Sequence, residues 1–386
     1  MTKTFTTIID MVANEVCDKE ISTSKYVLTN EEFIRLYKLS KSHDLAHLVG
    51  SALRKNNLIN NDEIKAKFQK QVMLAVYRYE KLQYELTRLK DALNDAAIPF
   101  IPLKGSVIRN FYPSPWLRTS CDIDVLVREQ DVESTAATLI DKLSYKKITK
   151  GSHDIGLFAE SGVHIEVHYD LVEDNRANSA AAVLKQIWIA VKHDGCNYQY
   201  EMPDEMFYFY HIAHMAKHFV GTGGCGIRPF LDIWVLNHRI DFNREKREKL
   251  LSDGGLDVFA KQAELLSEVW FGNAEHTEIT RQMEGYILRG GVYGTTTNRV
   301  AVQQQKQGGK VKYALSKIFI PYDVIKFHYP ILQKHRWLTP IMEIRRWGKL
   351  IFCGHLKRTV NELKYNNTIS DDAAAEAKTL LKNVGL

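Results

Sequence analysis

Apolar positions in the first ninety-odd residues recur at steps of three and four. Phe68, Val72, Val76, Tyr79, Leu82, Leu86, Leu89 and Leu93 draw a single stripe, which predicts an amphipathic helix over roughly Phe68 to Ala96. Asn94-Asp95 and Pro99 end it. The pattern then shortens. Ile98-Pro99-Phe100-Ile101-Pro102-Leu103 is apolar and broken by prolines, as a strand near a sheet edge is. Lys104-Gly105-Ser106 predicts a turn, residues 107–112 a short helix, and Tyr112-Pro113-Ser114-Pro115-Trp116 a loop. Residues 121–127 read as a strand, and Glu129 to Leu143 as a helix through Val132, Ala136, Leu139, Ile140 and Leu143. Two further strands, Ile155 to Ala159 and Val163 to Tyr169, flank a hairpin turn at Glu160-Ser161-Gly162. In the second, Ile165, Val167 and Tyr169 alternate with His164, Glu166, His168 and Asp170. From Asp204 onward helical patterns dominate. The expectation is an α+β protein with a small mixed sheet: a helical region over 1–96, a core domain over 97–200 and a helical region over 201–386.

Composition keeps this picture ordinary. Of 386 residues, 45% are hydrophobic and 25% charged, as in a soluble globular protein. No apolar run is long enough to predict a membrane span, and the start lacks the apolar stretch of a signal peptide. Five scattered cysteines form no CxxC pair, which argues against a zinc knuckle or a disulfide framework and makes the cytoplasm the simplest compartment. The net charge of +6 is uneven. Residues 306–364 hold thirteen Lys and Arg against three acids, while the rest of the chain is slightly acidic. Such an excess attracts phosphate-rich partners or simply lines a solvated surface.

The densest chemistry lies in Cys121-Asp122-Ile123-Asp124-Val125-Leu126-Val127. Side chains alternate along a strand, so Asp122 and Asp124 share a face while Ile123 and Val125 point into a core. Two adjacent carboxylates repel unless a cation sits between them, and a divalent metal carrying a phosphorylated substrate is the natural occupant. Upstream, Gly105-Ser106 between a strand and a helix start forms a phosphate cradle: glycine lets the backbone approach and Ser106 adds a hydroxyl. Glu166 on a later strand supplies a third acid. Together the three carboxylates would hold two magnesium ions, and Glu166 would also accept a hydroxyl proton. The plainer alternative makes all three acids a solvated sheet face.

The run Pro99 to Ser106, then Tyr112-Pro113, then Arg118-Thr119-Ser120-Cys121-Asp122-Ile123-Asp124-Val125-Leu126-Val127, resembles the bacterial nucleotidyltransferase family usually left uncharacterised, within the DNA polymerase beta-like nucleotidyltransferase superfamily. The resemblance covers about residues 97–170 and extends to Tyr208–Asp232. It implies a mixed sheet flanked by helices, a magnesium-dependent enzyme, and transfer of a nucleoside monophosphate from an NTP, with ATP the first expectation, to an unknown acceptor hydroxyl. Gly105 and Ser106 would bind phosphate, Asp122 and Asp124 metal, and Glu166 would be the third acid. The fifteen residues between Ser106 and Asp122 exceed the usual superfamily spacing.

Other residues carry weaker signals. Lys104 and Arg118 flank the pocket and would contact triphosphate oxygens, against the alternative that they pair with acids. His211, His214 and His218 share a helix face without a His-Glu-x-x-His motif, so hydrogen-bonded histidines are preferred over zinc. His168, His214, His218 and Arg228 are candidate cleft residues, although Arg228 and Asp232, four apart, would also pair on a helix. Gly221 to Gly226 and Gly290 to Gly294 read as flexible loops or lids. Tyr322, Phe327, Tyr329, Trp337 and Trp347 among the C-terminal cations allow a nucleic-acid surface, the less favoured reading against core aromatics. The same acidic site would also suit phosphotransfer, or a catalytically degenerate nucleotide-binding scaffold.

Overall fold

The computed structural model describes residues 3–151, 153–171, 179–193, 197–221, 223–289, 296–352, 363, 365–368 and 371–386. The chain divides into two compact units. One comprises Met1–Met215, Ile227–Thr280 and Gly385; the other comprises Ala216–Gly226, Arg281–Val384 and Leu386.

The first unit opens with four helices, α1 (Lys3–Val16), α2 (Asn30–Ser42), α3 (Ala46–Lys55) and α4 (Asp62–Asp95). α2 begins with a capping box: the Thr29 hydroxyl accepts the Glu32 amide, and the Glu32 carboxylate accepts the Thr29 amide. α4 starts earlier than the apolar stripe suggests. The Asn61 side chain accepts the Ile64 amide, and Ile64 is buried, so the cap and the first turn extend the helix toward its N-terminus.

A five-stranded mixed sheet comes next, in the order β1-β2-β5-β4-β3. Its strands are β1 (Phe100–Pro102), β2 (Asp122–Val127), β3 (Lys146–Lys150), β4 (Asp154–Phe158) and β5 (His164–His168). β2 and β5 run parallel; the other pairs are antiparallel. The 160–162 hairpin turn forms as expected, with Gly162 in the left-handed region. β3 is an addition to the expected elements. It lies at the sheet edge and carries lysines where an inner strand would alternate apolar residues, so its pattern is silent.

The core sits between α4 and the sheet. Leu82, Leu86, Leu89 and Leu93 pack with Ile123, Val125, Val127, Ile155, Ile165 and Val167, and α6 (Val132–Leu143) adds Val132, Ala136 and Leu139. One polar residue is built into this face. Buried Glu85 accepts hydrogen bonds from Tyr145 (2.8 Å), Ser161 (2.6 Å) and Arg88 (3.2 Å), which fixes the helix to the β4–β5 hairpin turn. The remaining helices complete the unit: short α5 (Gly105–Ile108), α7 (Ser179–Leu184) and α8 (Ile187–Ala190), then α9 (Asp204–Gly221), α10 (Arg228–Arg239), α11 (Arg244–Asp253) and α12 (Asp257–Phe271). Residues of α9 from Ala216 onward are grouped with the second unit.

Described elements of the second unit are helical: most of α13 (Glu278–Leu288), then α14 (Thr296–Gln307), α15 (Lys310–Ile318), α16 (Tyr322–His328), α17 (Thr339–Phe352) and a last helix over Asp371–Asn383. Asn298 donates to the carbonyls of Gly223 (3.1 Å) and Tyr286 (3.0 Å). A Cβ at Gly223 would lie 2.4 Å from the Arg299 amide nitrogen, and its φ is +82°, so only glycine fits. Within the Gly221 to Gly226 run, residues 223–226 are thus a packed connection, while Thr222 lies outside the described residues. Gly290 to Gly294 also lies outside them. The overall class is α+β, with a small mixed sheet and helical N- and C-terminal regions.

Candidate nucleotide and metal site

Parallel pairing of β2 with β5 sets Asp122 opposite His164 and Asp124 opposite Glu166. Partners in register share a sheet face, so Asp122, Asp124, His164, Glu166 and His168 project from one side. Asp124 is nearly sealed from water and Asp122 is partly open. Ligating atoms of Asp122, His164 and Glu166 lie within 4.8 Å of one another, and so do those of Asp124, Glu166 and His168.

Charges on this face are unequal. Burial pushes the Asp122 carboxyl up to about 6; the Asp124 charge adds to this, Lys104 opposes it, and Glu166 adds again. Asp124 moves the other way. Burial would raise it, but the Lys104 ammonium and the His168 hydrogen bond hold it well below the usual carboxylate range. Lys104 Nζ donates to Asp124 Oδ1 at 2.8 Å, and His168 Nε2 lies 2.9 Å from the same oxygen. His168 Nε2 is also 3.3 Å from Glu166 Oε2. Burial alone would lower His168; its bonds to Asp124 and Glu166 outweigh that and raise it.

Lys104 reaches Asp124 from an uncommon backbone conformation, φ +44° and ψ −119°. A side-chain-bearing residue there costs about 1–2 kcal/mol, which marks the turn as held by its surroundings. The Leu103 amide donates to the Asp124 carbonyl at 3.0 Å, so the Gly105-Ser106 turn stands beside the acids. Gly105 is in close quarters: a Cβ would meet the Ser120 side chain at 3.0 Å. Buried Arg109 donates from Nε to the Gly105 carbonyl (2.5 Å) and from Nη2 to Ser120 Oγ (2.6 Å), holding both ends of this approach. The Ser106 hydroxyl is buried and has no hydrogen-bond partner.

The long segment between Gly-Ser and the acids is anchored from outside. Arg118 forms a bidentate pair with buried Asp232, whose Oδ1 also accepts from Tyr112 (2.7 Å). Burial would raise the Asp232 carboxyl, and the Arg118 charge and hydrogen bonds hold it below its ordinary value. Arg228 donates to the Thr119 carbonyl (3.2 Å) and to the Asp44 carboxylate, which also accepts from Thr119 Oγ1 (2.9 Å). Arg228 and Asp232 therefore bond to separate long-range partners rather than to each other.

Sequence reasoning anticipated Lys104, Gly105, Ser106, Asp122, Asp124, Glu166 and His168, and the structure brings them together. It places Arg118 on Asp232 and Arg228 on Asp44. His211 Nε2 donates to the Pro229 carbonyl at 3.1 Å. His214 lies against the Tyr210 ring, and His218 is grouped with the second unit. Among the described residues, none of these three histidines belongs to a trio of close metal-ligating atoms. The contribution of α9 is a residue that the histidine pattern did not single out. Burial pushes the Tyr210 phenol up, Lys104 opposes this, and the charges of Asp124, Glu166 and Asp122 reinforce it, so Tyr210 feels the charge of the acids. Arg109, Asp44 and His164 were likewise missed. Arg109 sits four residues after Gly105, a spacing with no known meaning until the fold is seen.

Oxygen donors on this face suit a hard divalent cation, and the Asp122, His164, Glu166 and Asp124, Glu166, His168 groups could each hold one. No helix among the described residues is long and apolar enough to cross a membrane. No curated protein and no solved structure matches the chain. The profile of a family described as uncharacterised nucleotidyltransferase matches residues 29–272, which takes in α2 to α12 and every residue of the site, and the chain belongs to that family.

Proposed function

We propose that this nucleotidyltransferase moves a nucleoside monophosphate from an NTP, ATP in the first instance, to an acceptor hydroxyl and releases pyrophosphate. The observation that carries the reading is the parallel register that sets Asp124 against Glu166, with Asp122 two residues away on the same face and Gly105-Ser106 beside them. Asp122, Asp124 and Glu166 would hold magnesium, as two ions. Magnesium, when bound, supplies charge neutralisation for the triphosphate and a lowered pKa for the acceptor hydroxyl.

The chain's own residues divide the remaining work. The Ser106 hydroxyl, unpaired in the protein, donates to a phosphate oxygen. Gly105 lets the backbone close on the phosphates. Lys104 places an ammonium between Asp124 and the incoming anion. Glu166 accepts the proton of the acceptor hydroxyl at its carboxylate. Arg118 acts through Asp232 by holding the 112–120 segment, and so does Arg228 through Asp44. Catalysis is then chiefly positioning and charge stabilisation. An enzyme of this kind works where NTPs are held, in the cytoplasm.

Calorimetric titration of each NTP, with and without magnesium, tests this on the wild-type chain and on Asp122→Asn/Asp124→Asn. Magnesium-dependent binding that disappears in the double variant is the expected result. Absence of NTP binding to the wild type overturns the reading in favour of a degenerate scaffold.

A further inference from the structure

The second unit carries a surface that nucleotidyl chemistry does not use. In α17 the acid Glu343 is buried, 7% exposed. It accepts from Arg346 Nε (2.7 Å) and from the Ile320 amide (2.9 Å), while Arg346 Nη2 donates to the Ile318 carbonyl (2.5 Å). The isoleucines of the same helix face out: Ile341 is 52% and Ile344 72% exposed. Over its described side chains this helix holds its acid inward and Ile341 and Ile344 in water.

α15, which has no acid, also exposes apolar side chains. Val311 and Leu315, four apart and therefore on one face, are exposed, and Phe319 lies at the next step of four. Trp337, just before α17, is 73% exposed. Single exposed apolar side chains are ordinary, but their concentration in one stretch is not. Lys312, Lys334, Arg345 and Lys349 are exposed in the same stretch. Residues 310–349 hold nine Lys and Arg against two acids, one of which is the inward Glu343.

We propose that residues 310–349 are a docking surface for an anionic lipid bilayer. Isoleucine, leucine, valine and tryptophan side chains enter the boundary between headgroups and acyl chains, and exposed Lys312, Lys334, Arg345 and Lys349 meet the anionic headgroups. Charge decides among the occupants. A second copy of the chain would bring the same positive excess against this face. A nucleic acid would satisfy the cations and leave Ile341, Ile344, Val311 and Leu315 in water. An anionic bilayer satisfies both sets. Since no described helix crosses a membrane, attachment is at the interface.

Vesicle co-sedimentation of the full chain, in the absence of nucleotide, tests the proposal independently of the catalytic reading. Wild type is expected to sediment with vesicles of phosphatidylcholine mixed with phosphatidylglycerol and to stay in solution with phosphatidylcholine alone. Both Ile341→Asp/Ile344→Asp and Arg345→Gln/Lys349→Gln are expected to lower partitioning by at least about tenfold, since each removes one of the two attractions. Their circular dichroism should match wild type, because all four side chains are exposed. Equal partitioning of the isoleucine variant overturns the proposal. It also fails if wild type ignores both vesicles, if a single-stranded RNA oligonucleotide binds where vesicles do not, or if the wild-type chain is a dimer that Ile344→Asp dissociates.

Discussion

Arg118 grips Asp232 through two parallel hydrogen bonds, Nε to Oδ1 at 2.7 Å and Nη2 to Oδ2 at 2.8 Å, across 114 positions of the chain. This pair holds the segment between the Gly-Ser turn and the acidic strand to α10. The Arg118 Nη1 bond to the Thr119 carbonyl and the Arg228 bond to the same oxygen extend the grip toward Asp122.

Removing one partner leaves a buried charge uncompensated. Asp232→Ala should cost about 3–5 kcal/mol and lower the Tm clearly, whereas Arg118→Met/Asp232→Leu, which removes both charges, should recover most of the loss. Thermal unfolding of the three proteins checks this, and a double variant no better than Asp232→Ala would contradict it.

Ser106→Ala should separate binding from stability. The hydroxyl is buried without a protein partner, so its removal should leave the Tm unchanged or slightly higher. NTP affinity should fall about tenfold, the worth of one hydrogen bond to a charged group. Calorimetry beside a melting curve reads both signs.

Acid should destabilise the first unit through two histidines. Burial pushes both His43 and His47 down from 6.5 to about 4, and His47 Nε2 donates to the Leu117 carbonyl. A depressed histidine favours the neutral ring in the fold, so below pH 6.5 the unfolded chain binds more protons. The contribution is complete above about pH 6.5 and is lost as pH falls toward 4, by up to about 3 kcal/mol for each ring. Tm measured against pH should slope downward over that window, and His47→Gln should flatten the slope.

Glu85→Ala should loosen the hairpin more than a surface change would. It strands the hydroxyls of Tyr145 and Ser161 and the Arg88 guanidinium, at a cost of about 3 kcal/mol. A lower urea midpoint and faster hydrogen exchange in β4 and β5 are the expected readouts. Glu85→Gln, which keeps the acceptor oxygen, should lose less.

Features set by local period were legible in the chain alone. The α4 stripe, the alternation that puts Asp122 and Asp124 on one face, and the turn at residues 160–162 all depend on neighbours a few positions apart. The family, too, was readable from the residue runs Pro99 to Ser106 and Arg118 to Val127, although fifteen residues between Gly-Ser and the first acid exceed the usual spacing. Other features depend on long-range packing. β3 is a strand because an edge tolerates lysines that hide its period. Arg228 and Asp232, four apart on α10, ignore each other because packing offers each a partner more than a hundred residues distant. The Lys104 ammonium reaches Asp124, Arg109 ties the Gly105 carbonyl to Ser120, and the Tyr210 phenol feels the charge of the acids only once β1, the turn after it and α9 are folded against β2. Glu343 turns inward in α17 because Arg346 and the Ile320 amide satisfy it there, against the amphipathic rule. Burying a charge depends on which distant group arrives to meet it, and no local pattern records that.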